Sequence, residues 1–294
     1  MAQKERVGYE VAVERLHQFE HLSQVIDDHW LKTQLSKTVE QYSLITGWLT
    51  LSEFEWNWTY GKLTAALDAA LAILDGNVSE SVGNKFRSKL RAHSVRAETK
   101  GTLAEISLAV FLVQRGIPFE METRLAATSK KDVDFSLQFD GLEPVHIEMQ
   151  WVSESDMSVR AANAGAPYGL GANFNYHREE IRILNKIYGK TSKLTQNDIT
   201  LVALHLEERM ISGTYPWGPV GEDLEHCLGN EICGHLNENA AAIRELVDGV
   251  IWFELDFDRA FFPICRGYRL NEHSKHFGSL SLTKWIELWS HQNE

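Results

Sequence analysis

Helix-like spacing opens the chain. Val11, Val13, Leu16, Phe19, Leu22, Val25 and Ile26 recur at intervals that suit one side of a helix. The pattern predicts a second helix over residues 30–48. An Ala- and Leu-rich third covers residues 63–74 and stops at Asp75 and Gly76, and a fourth covers residues 79–93. The aromatic stretch 50–60 is ambiguous between periods. Residues 1–95 therefore read as an α-helical N-terminal region.

From residue 96 the period changes. Thr102 to Val113 is a helical apolar run, closed by Gly116 and Pro118, and residues 119–125 read as a strand. Two segments then alternate strictly. Val133, Phe135, Leu137 and Phe139 share one strand face, against Asp132, Asp134, Ser136 and Gln138; Val145, Ile147, Met149 and Trp151 share one, against His146, Glu148, Gln150 and Val152. Asp140 and Gly141 between them signal a hairpin, lengthened by Leu142, Glu143 and Pro144. Further on come a helix (176–193), an apolar strand (198–206), a helix (236–247), a strand (249–255), a short extended piece (268–271) and a terminal helix (282–289). Helices alternating with strands predict an α/β domain over residues 96–294, with a central mixed sheet flanked by helices.

The hairpin carries the candidate chemistry. If its apolar faces pack on helices, Asp134, Glu148 and Gln150 fall side by side. Adjacent ionised carboxylates repel and call for a cation, and hard oxygen ligands suit Mg²⁺ or Mn²⁺. A metal so held activates water and stabilises the charge of phosphodiester hydrolysis. Asp132 has the parity of Asp134 and is its rival as ligand.

Asp134 followed by Glu148-Met149-Gln150, behind a helix carrying Glu105, resembles the Asp…Glu-x-Lys pattern of the PD-(D/E)xK nuclease superfamily. The resemblance spans roughly residues 95 to 270 and implies a restriction-endonuclease-like core. It implies a Mg²⁺- or Mn²⁺-dependent endonuclease with Asp134 and Glu148 as metal ligands and Glu105 as an auxiliary one. Gln150 stands where the family usually has a water-orienting lysine, and Val133 replaces the proline of the PD pair. The implied partner is DNA, with RNA as the alternative; a homodimer is open. Two other readings compete. One is a catalytically inactive nuclease-fold protein that binds nucleic acid or another protein. The other is an unrelated α/β domain whose carboxylates do not converge.

Charge refines the picture. The 294 residues carry a net charge of −12, which argues against broad adhesion to nucleic acid but not against a local patch. Arg178, Arg182, Lys186 and Lys190 recur on one helical face, a candidate phosphate-binding surface or an exposed basic face. In the resembled superfamily this helix can bring a basic residue into the active site, so Lys186 or Lys190 is a candidate substitute for the missing lysine. Lys85, Arg87, Lys89, Arg91 and Arg96 form a second basic run, read as a solvated helix face. Trp48, Trp56 and Trp58 could stack on bases but read better as core. Thr102 and Glu105 also fit a capping box.

Three cysteines make no disulfide framework, and the N-terminus lacks a signal-peptide core. The expected location is cytoplasmic. His226, Cys227, Cys233 and His235 fit zinc spacing poorly. The small-residue stretch 161–175 reads as a loop beside the site.

Overall fold

The computed structural model describes residues 6–92, 96–125, 132–152, 176–192, 194–206 and 238–290. The chain divides into two compact units: Met1–Gly116 with Leu255–Pro263, and Ile117–Glu254 with Ile264–Glu294.

In the first unit the expected opening helix is broken. α1 (Tyr9–Leu16) stops before Phe19, whose backbone is extended, and α2 (Glu20–Val25) starts after it. The break turns Phe19 edge-on to Trp56, 6.2 Å away, while Leu16 and Leu22 stay fully buried. The helix expected over residues 30–48 is also interrupted. α3 (Asp28–Leu35) gives way to a 3-10 turn at Val39–Gln41 and then α4 (Leu44–Leu49). Local acceptors explain the interruption: Gln41 Oε1 accepts from Thr38 N at 3.2 Å, and Ser43 Oγ from Thr46 N at 3.0 Å.

The aromatic stretch is helical. α5 (Glu53–Glu55) runs through a π-helical turn, Trp56–Tyr60, into α6 (Gly61–Leu74). Trp48 and Trp56 belong to the core, whereas Trp58 is 75% exposed and stacks on Phe54 at 6.3 Å. α7 (Glu80–Ala92) and α8 (Arg96–Gln114) follow in this unit. The basic run on α7 is tied down: Arg87 pairs with Asp75, Lys89 with Glu105 and Arg91 with Asp27. Because α8 begins at Arg96, Thr102 and Glu105 lie inside it and cannot be a capping box; Thr102 is buried.

The strands form one mixed sheet in the order β1 (Phe119–Thr123), β2 (Val133–Leu137), β3 (Val145–Val152), β4 (Ile199–Leu206), β5 (Gly249–Asp256), β6 (Phe262–Leu270). The chain is thus α/β. β1, β2 and β3 are antiparallel neighbours, and β3, β4 and β5 run parallel. The extended piece expected at 268–271 is the end of the longer β6. The hairpin register pairs Phe135 with Ile147, Ser136 with His146 and Leu137 with Val145. Gly141, at φ +69°, takes the left-handed turn position that favours glycine.

Both faces of β3 are covered, so residues 145–149 are all buried. α9 (Tyr176–Thr191) follows β3, and α10 (Glu238–Leu246) precedes β5; they pack on each other. Leu184 and Ile187 of α9 join Val152, Val202, Leu204, Val250 and Trp252 of the sheet in one buried cluster. Each such aliphatic side chain contributes about 1.5–3 kcal/mol by burial. Trp289 of α11 (Leu280–Ser290) meets Phe253 edge-on at 5.6 Å. Among the described residues, no helix is long and apolar enough to cross a membrane.

Candidate functional site

Asp134 and Glu148 come together because of the hairpin register. Phe135 faces Ile147, so the next step along each strand sets Asp134 opposite Glu148. The backbone N–H of Met149 donates to Asp134 Oδ2 at 2.8 Å and fixes that carboxylate against β3. Glu148 is fully buried, beneath the helix that packs on β3.

A buried carboxylate needs a compensating charge. Lys190, in the last turn of α9, provides one. Its Nζ lies 3.2 Å from Glu148 Oε2 and 3.4 Å from Asp134 Oδ2. The side chains of Asp134 and Lys190 are 14% and 19% exposed, so this end of the cluster opens towards solvent. Two oxygens on adjacent strands thus converge on one cationic group. The donor chemistry, two hard carboxylate oxygens meeting at one point, fits Mg²⁺ or Mn²⁺. Among the described residues, no three His, Cys, Asp or Glu side chains form a metal-binding group.

The neighbouring residues complete the arrangement. Gln150 Nε2 donates to Trp151 O at 2.7 Å, and Lys186 Nζ donates to the same carbonyl at 3.0 Å. Lys186 and Lys190 therefore reach down to β3 from one face of α9. The side chains of Arg178 and Arg182 lie outside the described residues, as do His226, Cys227, Cys233, His235 and the stretch 161–175. Asp132 accepts from Arg124 Nε at 3.1 Å. Glu105 belongs to the first unit, where Lys89 Nζ donates to its Oε2 at 2.7 Å.

Two further features of this region carry no role in the sequence pattern. His146 shares a strand face with Glu148, is buried, and shares a 2.8 Å hydrogen bond with Ser136 Oγ through Nδ1. Burial pushes its pKa below the usual histidine value, and the charge of Asp198 opposes this in part. Cross-strand parity hints at that pair, since Ser136 and His146 are direct register partners. Glu122 lies between the β1–β2 pairs Met121–Phe135 and Thr123–Val133, opposite Asp134, with φ +54°. That conformation costs a non-glycine residue about 1–2 kcal/mol, and no sequence signal marks it.

In comparisons with known proteins, no family model and no curated protein matches the chain.

Proposed function

We propose that this chain is a divalent-metal-dependent nuclease of the PD-(D/E)xK type, built on a restriction-endonuclease-like core and acting on DNA. The observation that carries this reading is the convergence of Asp134 Oδ2 and Glu148 Oε2 on one ammonium group. Asp134 and Glu148 would hold Mg²⁺ or Mn²⁺, which when bound polarises phosphate and lowers the pKa of water. In net terms the hydroxyl of water would join phosphorus, one P–O bond would break, and the proton given up by that water would end on the leaving oxygen.

The residues around the carboxylates have separate tasks. Gln150 can accept a hydrogen bond from the attacking water and orient it, but it brings no charge. Lys190 brings the positive charge from α9 that the strand position lacks. Lys186 braces the Trp151 carbonyl beside it. Glu105 pairs with Lys89, so the reading rests on Asp134 and Glu148.

Cleavage of single- and double-stranded DNA with Mg²⁺, Mn²⁺ or EDTA tests it. Metal-dependent cleavage, abolished in Asp134→Ala/Glu148→Ala, is the expected result. A second reading is a non-catalytic nucleic-acid-binding subunit. It draws on Lys190 pairing with both carboxylates and on the Gln150 amide bonding to its own strand. DNA binding that ignores EDTA, with no cleavage under any condition, would favour it.

A further inference from the structure

The ammonium of Lys190 stands within 3.4 Å of oxygens from two strands. Mg²⁺ demands oxygens at about 2 Å in near-octahedral order. A divalent ion drawn to both carboxylates would therefore meet a like charge at close range. We propose that Lys190 is a resident counter-cation of this site, which a divalent ion must displace, so that the chain weakens its own metal affinity. This inference rests on the metal-site reading of Asp134 and Glu148.

The geometry provides a way out for the lysine. Lys190 lies in the last turn of α9, one residue before its end at Thr191. Its side chain keeps solvent contact. Rotation about its flexible four-carbon stem moves the ammonium away without moving the helix. The Ile187 anchor, fully buried one turn earlier, keeps the backbone in place. The stem also keeps the displaced charge close to the pair, where an anionic ligand of the metal would meet it.

Mn²⁺ binding, followed by the electron paramagnetic resonance of the free ion, tests the inference without reference to cleavage. Wild type, Lys190→Met, Lys190→Arg and Asp134→Asn/Glu148→Gln would be compared. Lys190→Met should bind Mn²⁺ about tenfold tighter than wild type, a difference of about 1.4 kcal/mol. Lys190→Arg should stay weak, and the double carboxylate variant should lose binding. In the wild type, Mn²⁺ should raise labelling of the Lys190 amine by a small acylating reagent, read by mass spectrometry.

Equal affinity in wild type and Lys190→Met, with binding still lost in the carboxylate variant, overturns displacement and keeps the metal site. No Mn²⁺ binding by any folded variant overturns both. If Lys190→Met does not fold, the labelling decides: Lys190 reactivity unchanged by saturating Mn²⁺ overturns displacement.

Discussion

Glu148 and Asp248 are buried carboxylates of the same unit, and they are held in contrasting ways. Asp248 sits directly before β5. Its Oδ2 accepts from Thr200 N at 2.5 Å, and its Oδ1 accepts from Ser274 Oγ and from His276 Nδ1, the latter at 3.1 Å. Asn271 locks the same corner by donating to Arg244 O at 2.7 Å and Val247 O at 2.8 Å. One of these donors is a backbone amide, and the other two sit on short side chains. Glu148 instead meets an ammonium at the tip of a long side chain. A carboxylate fixed by a backbone N–H, a hydroxyl and an imidazole is a brace. One balanced by a movable cation can exchange that cation for another. The residue types around Asp248 also resemble a nucleophile set, but Ser274 and His276 both bond to Asp248 Oδ1, so no Ser-to-His relay exists.

The largest expected effect lies at Lys190. Lys190→Met leaves Glu148 buried beside Asp134 without that positive charge and should cost about 3–5 kcal/mol in urea unfolding. Saturating Mn²⁺ should restore part of the loss by binding the folded state. A cost below about 1 kcal/mol would break the contrast, since surface ion pairs contribute that much or less. Asp248→Ala should cost about 3 kcal/mol, because the Thr200 N–H loses its acceptor in the interior. That loss should be the same with and without Mn²⁺; metal-dependent recovery would place Asp248 in an exchangeable site too.

A smaller effect sharpens the same contrast. Glu148→Gln combined with Lys190→Met removes the buried negative charge together with its partner. The double variant should unfold within about 1 kcal/mol of wild type, as buried ion pairs replaced by neutral groups often do. It should also show no stabilisation by Mn²⁺. A double variant as unstable as Lys190→Met alone would mean that Glu148 supports the fold by contacts other than charge.

Much of this was legible in the sequence, for physical reasons that can be named. Alternation in residues 133–139 and 145–152 marked the hairpin and set Asp134 and Glu148 on matching faces, because strand periodicity is local. Spacing along 176–193 aligned Lys186 with Lys190, because helix periodicity is local as well. Three features were not legible. The covering of the Glu148 face by α9 is a tertiary event, and it buried Glu148 against Lys190 while Asp134 and Lys190 kept some contact with solvent. The start of α8 at Arg96 moved Thr102 and Glu105 into a helix interior, since helix propensity carried through where a cap signal suggested a beginning. The Asp248 brace joins Thr200 of β4, Asp248 just before β5, and Ser274 and His276 from the segment before α11, and no local pattern announces such a meeting.

The smallest effect belongs to a carboxylate that is neither buried nor exchangeable. Asp27 caps α3 by accepting from Trp30 N at 2.7 Å, with Arg91 3.0 Å from its other oxygen. The Trp30 N–H is the main cause that lowers its pKa below the ordinary 3.8, helped by Arg91 and His29 and opposed by slight desolvation. Asp27→Ala should cost about 1 kcal/mol at neutral pH, the usual loss for an N-cap. The folded state binds this proton less readily than the unfolded state. The cap's contribution is therefore complete above pH 3.8 and fades as the pH falls through the lowered folded value. Wild type and Asp27→Ala should thus differ by a constant amount from neutral pH down to mild acid and converge below it. Urea unfolding along a pH series checks this. Divergence towards acid would instead mean that the cap stabilises the fold through its protonated form. Mn²⁺ should leave the difference unchanged, which makes Asp27 the control against which recovery at Lys190 is read.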